Sequence, residues 1–90
     1  MVTAIVLLKV ERKKVNEVAD QLLSTPDVTE VYSVSGSYDL VAIIRTTDND
    51  KLECIVTSHL LKVEGITDSE TMFAFKTYSK RDLEAMFDLD

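Results

Sequence analysis

Ninety residues, with 46 % hydrophobic and 29 % charged side chains and only two Gly and one Pro, describe a single ordered domain and exclude a disordered or low-complexity chain. Ten Lys plus Arg against sixteen Asp plus Glu leave a formal net charge of −6, a field that repels phosphate backbones and anionic membranes and so speaks against direct nucleic-acid or membrane binding. Cys54 is the lone cysteine, without a disulfide partner or metal-ligand spacing, so no metal or cofactor is expected and the location is expected to be the reducing cytoplasm.

Residues 3–10, TAIVLLKV, alternate Ala4, Val6, Leu8 and Val10 on one side with Ile5 and Leu7 on the other, which predicts a strand buried on both faces. The apolar run is too short to span a membrane, and no basic stretch precedes it as in a signal peptide. A helix is expected over residues 12–24, because Val15, Val18, Ala19, Leu22 and Leu23 fall on one stripe, and Pro26 stops it. Residues 28–35 and 40–47 read as two further strands joined by a hairpin at Gly36-Ser37-Tyr38-Asp39. Asp50 with Glu53 suggests a capping box for a second helix, with Leu52, Ile55, Val56 and Leu60 as its buried stripe and Gly65 as its terminator. Residues 67–78 supply a fourth strand. Residues 79–90 read as a short tail, made helical through Leu83, Met86 and Phe87.

The order βαββαβ predicts an α+β, ferredoxin-like domain over residues 1–78, with a four-stranded antiparallel sheet and both helices on one face. On the other face Ile5, Leu7, Val41, Ile43 and Phe73 or Phe75 would be left in water. A patch of that kind demands a partner, so dimerisation through the sheets is expected, as in dimeric α/β barrels.

That fold hosts many functions, and several are disfavoured by missing residues. The loop after the first strand, Glu11-Arg12-Lys13-Lys14, has neither the Gly-rich anion loop of an acylphosphatase nor the CxxC of a copper chaperone. The third strand, LVAIIRTT, lacks the aromatics of an RNA-binding sheet. His59 has no nucleophile or carboxylate at a recognisable spacing and reads as a helix-boundary residue. The distinctive stretches are Val34-Ser35-Gly36-Ser37-Tyr38-Asp39-Leu40 and Val63-Glu64-Gly65-Ile66-Thr67-Asp68-Ser69-Glu70-Thr71. In them the chain resembles the effector-binding domain of the Lrp/AsnC transcription regulators, with its G-x-Y/H/F-D hairpin and a last strand beginning G-V/I-x-x-T-x-T. Ser69 replaces the Thr frequent there, and these ninety residues hold no helix-turn-helix.

The resemblance implies a non-enzymatic domain that binds a free amino acid and assembles as a dimer and then a ring of dimers, alone or with a full-length regulator. The implied ligand residues are Gly36, Ser37, Tyr38, Asp39, Ser69 and Thr71. Gly36 allows close backbone approach, amides around Gly36 to Tyr38 would receive the carboxylate, and Asp39 would hold the ammonium. Ser69 and Thr71, two apart on a strand, would present hydroxyls on one face. Asp39, in an exposed hairpin, is expected to be dispensable for folding. Two alternatives stay open: a cofactor-free monooxygenase of the dimeric barrel type, which needs polar pocket residues such as His or Trp, and an ACT-like regulatory module, which usually carries its Gly after the first strand. The hairpin also reads as a plain turn in which Asp39 bonds its own loop.

Overall fold

The computed structural model describes residues 1–78 and residue 80. Strands β1 (Val2–Val10), β2 (Val28–Ser33), β3 (Leu40–Thr46) and β4 (Ile66–Ala74) form one antiparallel sheet in the order β2-β3-β1-β4. Helix α1 (Val15–Leu23), entered through a 3₁₀ turn at Arg12–Lys14, and helix α2 (Asn49–Ser58), followed by a 3₁₀ turn at Leu60–Lys62, complete the βαββαβ order. Both helices bury their stripes on the same side of the sheet. Val18 and Leu22 of α1 and Leu52 and Ile55 of α2 join Ala4, Val6, Leu8, Leu40, Ala42 and Ile44 in one core. Each fully buried Leu, Ile or Val contributes about 1.5–3 kcal/mol, so this layer fixes strand register: a one-residue slip would turn the whole set to water.

Several boundaries differ from the sequence reading. The N-cap of α2 is Asp48, extended at φ −152° and ψ 171°, whose carboxylate accepts from the Lys51 N–H at 2.8 Å. Asp50 sits inside the first turn, where its charge favours the helix N-terminus. Gly65 does not end α2, which stops at Ser58. It turns the chain into β4 at φ +107°, where an added Cβ would lie 3.0 Å from Val18 Cγ2; its C=O accepts from the Glu11 N–H at 2.8 Å. Strand β2 ends at Ser33 rather than residue 35, and β4 ends at Ala74 rather than residue 78. Apart from residue 80, the residues 79–90 expected to be helical lie outside the described residues.

The open sheet face also needs one correction. β1 and β4 pair Ala4 with Phe73 and Ile5 with Met72, so Phe73 lies on the helix side and Met72 joins Ile5, Leu7, Val41 and Ile43 on the open side. Phe75 lies beyond the strand and is exposed. The sequence TDSETMFAF has no clean alternation, and only pairing with β1 decides its faces. The open-face residues Ile5, Leu7, Val41 and Ile43 are each half-buried, flanked by exposed Tyr32 and Met72. Around them runs a polar margin, with Arg45 bonded to Glu30 at 3.3 Å at one end and Lys9, Asp68 and Glu70 at the other.

Candidate functional site

The β2–β3 hairpin is held to β1 by Asp39. Its backbone N–H donates to the Leu8 C=O at 2.9 Å, and its C=O accepts from the Val34 N–H at 3.0 Å, closing the hairpin. Its carboxylate Oδ2 accepts from the Val10 N–H at 2.8 Å, beside the register shift between Lys9 and Val10. The pairing of β1 with β3 ends at Leu8 and Leu40, so the Val10 N–H, which points to that side, lies past the ladder and the Asp39 side chain satisfies it. Asp39 is half-buried. It is therefore a structural residue of the hairpin, contrary to the expectation that folding would not need it.

Tyr38 reaches the open face of the sheet. Its hydroxyl donates to Glu70 Oε2 at 3.0 Å, and the Lys9 ammonium stands 5.7 Å from the ring centre. The Glu70 bond, with lesser help from desolvation and from the Glu70 and Asp68 charges, raises the phenol above its ordinary range. Tyr38 thus latches the hairpin across β1 onto the edge strand. Glu70 and Lys9 escaped the sequence reading, although Glu70 alternates with Ser69 and Thr71 and so must face the other way. Because the latch is exposed to water, Tyr38→Phe is expected to lower the urea midpoint only slightly, which chemical denaturation checks.

Gly36 and Ser37 at the tip are exposed. Gly36 has φ +111°, and open space surrounds the position a Cβ would take. Only a residue without a Cβ adopts that backbone readily, and it leaves the neighbouring amides accessible. Ser69 and Thr71 do share a face, as expected. They pair with Leu8 and Val6 and therefore lie on the helix side, opposite to Glu70 and the Tyr38 latch.

Ser69 stands in one row with Leu8 and Leu40, at the hairpin end of the sheet. Thr71 stands one row further on and lines a cleft of about 750 Å³ between α2 and β4. Gly36 to Asp39 and Ser69 therefore gather at one end of the molecule, while Thr71 belongs to the cleft. Within a single chain the six residues do not close around a ligand. Among the described residues no group of three or more His, Cys, Asp or Glu side chains is placed to hold a metal, and His59 is an exposed residue capping the end of α2.

The architecture is thus a ferredoxin-like sheet carrying an anchored, glycine-bearing hairpin. Residues 3–83 match the model of the Lrp/AsnC ligand binding domain, and the chain belongs to that family. It is 33 % identical over 79 residues to the HTH-type transcriptional regulator FL11 of Pyrococcus furiosus, covering 88 % of this chain and 52 % of that protein. The chain spans about half the length of the curated relatives it matches. Among solved structures, TTHA0845 from Thermus thermophilus is 40 % identical with a TM-score of 0.83, covering 89 % of this chain and all of that one. The transcriptional regulator NMB0573 of Neisseria meningitidis, solved as an L-Met complex, shares the fold at 21 % identity and a TM-score of 0.77, over 87 % of this chain and 52 % of that one. The curated relatives matched here are named transcriptional regulators.

Proposed function

We propose that this domain senses a free amino acid at the Gly36–Asp39 hairpin and couples its binding to self-assembly through the open sheet face. The observation that carries the reading is the hairpin itself: two exposed tip residues on a base clamped to β1 and β4 by Asp39 and Tyr38. Such a base presents backbone N–H groups in a fixed arrangement that suits a carboxylate. The Asp39 carboxylate offers its second oxygen, Oδ1, to the ammonium. Ser69, in the same end row, supplies a hydroxyl. Thr71, one row away and on the helix side, joins the ligand only where a neighbouring copy completes the site. The L-Met complex of the Neisseria regulator supports the ligand class.

The half-buried apolar face with its charged margin has the anatomy of an isologous dimer interface. Rings of such dimers, or mixed assemblies with a full-length Lrp/AsnC regulator, would place hairpins of neighbouring dimers against one another. With a charge of −6, the domain acts on DNA only through such a partner. A thermal-shift screen of the twenty amino acids is expected to single out a small subset that raises the melting temperature, since ligands of the native state stabilise it by mass action. Light scattering is expected to return a dimer or larger species at micromolar concentration. Absence of any stabilising amino acid from an assembled protein would remove the ligand assignment.

A further inference from the structure

We propose that Tyr32 of each copy packs against the partner's Met72 in a two-fold dimer, and that this contact, made twice, sets the angle at which the two sheets cross. The proposal rests on the sheet-to-sheet association put forward above and adds which residues meet. Tyr32 is 49 % and Met72 41 % exposed, whereas Ile5, Leu7, Val41 and Ile43 between them are half-buried. An aromatic ring and a thioether attract each other beyond the area they bury.

Strand register puts the two side chains at opposite corners of the open face. One row across the sheet runs Tyr32, Val41, Leu7, Glu70, and the next runs Glu30, Ile43, Ile5, Met72. Lys9 and Asp68 stand beyond the first row and Arg45 beyond the second. One diagonal of the face therefore ends in Tyr32 and Met72, and the other ends in the Lys9, Asp68 and Glu70 corner and the Arg45 corner. Strands twist with a fixed right hand, and the crossover from β1 through α1 to β2 takes the right-handed course that such connections follow. Together these hands curl the Tyr32 and Met72 corners toward a facing sheet. The charged corners are left at its open ends, where long side chains reach across.

The two-fold axis of a face-to-face pair lies between the sheets, so each residue faces the one that mirrors it across that axis. Strands stand about 4.8 Å apart, and same-face residues about 6.8 Å apart along a strand. On that grid Tyr32 falls over the partner's Met72 when the axis leans about 25° from the strands, toward the Lys9 and Asp68 corner. Charge favours the same lean. In an aligned stack, with strands crossing at about 30°, Lys9 would face the partner's Lys9 and Arg45 the partner's Arg45. The greater lean carries Lys9 over the partner's Asp68 and Arg45 toward the partner's Glu30, which exchanges like-charge contacts for opposite ones.

The test uses the full chain in a Cys54→Ser background, because Cys54 is exposed, with Tyr32→Cys and Met72→Cys made separately. The probe is a bis-maleimide spanning about 10 Å, the gap between stacked sheets. Circular dichroism checks the fold, and light scattering fixes a concentration at which both variants are assembled. The expected result is cross-linked dimer after the two variants are mixed and allowed to exchange subunits, and none in either variant alone. The two Tyr32 positions of one dimer lie roughly 16 Å apart along the interface, in addition to the gap between the sheets. Cross-linked dimer in Tyr32→Cys alone would overturn the proposal, since it puts the axis beside Tyr32. So would an assembled mixture that gives no cross-link, an outcome that leaves sheet-to-sheet association standing at another angle. A wild-type protein that is monomeric by light scattering would overturn both.

Discussion

Ile43→Asp is expected to weaken self-association at least about a hundredfold, because it places a carboxylate in the middle of the open sheet face. Ile43 pairs with Ile5 in β1 and is adjacent across the sheet to Glu30 in β2, so its side chain stands at the centre of the patch formed with Leu7, Val41 and Met72. In an isolated chain that position is half-buried, and a carboxylate there still reaches water. In a two-fold dimer each copy buries the same residue against its partner, and the substitution counts twice. Burying one unpartnered polar group costs about 1–3 kcal/mol by mutational measures, and an ionised one costs more. Sedimentation or light scattering should show the variant as a monomer where wild type is assembled, with circular dichroism unchanged. An assembled Ile43→Asp would place the interface elsewhere and leave the open face unexplained. If the effector site also forms between dimers, the same variant should lose amino-acid binding without any change at the hairpin.

The parts of this fold that were readable without coordinates are those governed by local periodicity. Val18 and Leu22 on α1, Leu52 and Ile55 on α2, and the two-sided alternation of β1 announce their burial because a helix repeats every 3.6 residues and a strand every two. The faces of β4 were not readable, because Met72 and Phe73 are both large and apolar and only pairing with Ile5 and Ala4 separates them. The α2 cap was displaced by two residues because Asp48 and Asp50 are chemically equivalent candidates, and backbone conformation chooses between them. The hairpin residues were recognised by type, but their work was not. That Asp39 bonds Val10 across 29 positions depends on where the β1–β3 pairing ends, and no pattern in either segment encodes it. The same holds for Tyr38 and Glu70, 32 positions apart.

Asp39→Ala is therefore expected to destabilise the domain by about 1–3 kcal/mol, since it removes the acceptor from a part-buried backbone N–H. The Val10 N–H lies past the end of the β1–β3 ladder, and the methyl group of Ala offers it nothing. Asp39→Asn keeps an acceptor oxygen at the same reach and is expected to recover most of that loss. The pair of variants separates the two roles of the residue. In binding, the charge is what an ammonium group requires. Asp39→Asn should thus fold nearly as well as wild type yet bind its amino acid ten- to a hundredfold more weakly, an effect of about 1.5–3 kcal/mol for a charge-assisted bond. Urea denaturation of the three proteins, paired with calorimetric titration of the amino acid found by thermal shift, measures both quantities on the same samples. Unchanged affinity in Asp39→Asn would reduce Asp39 to a purely structural clamp and move the ammonium partner to another residue. Full stability in Asp39→Ala would show that water replaces the carboxylate at Val10, and the hairpin would then owe its position to the Tyr38 latch.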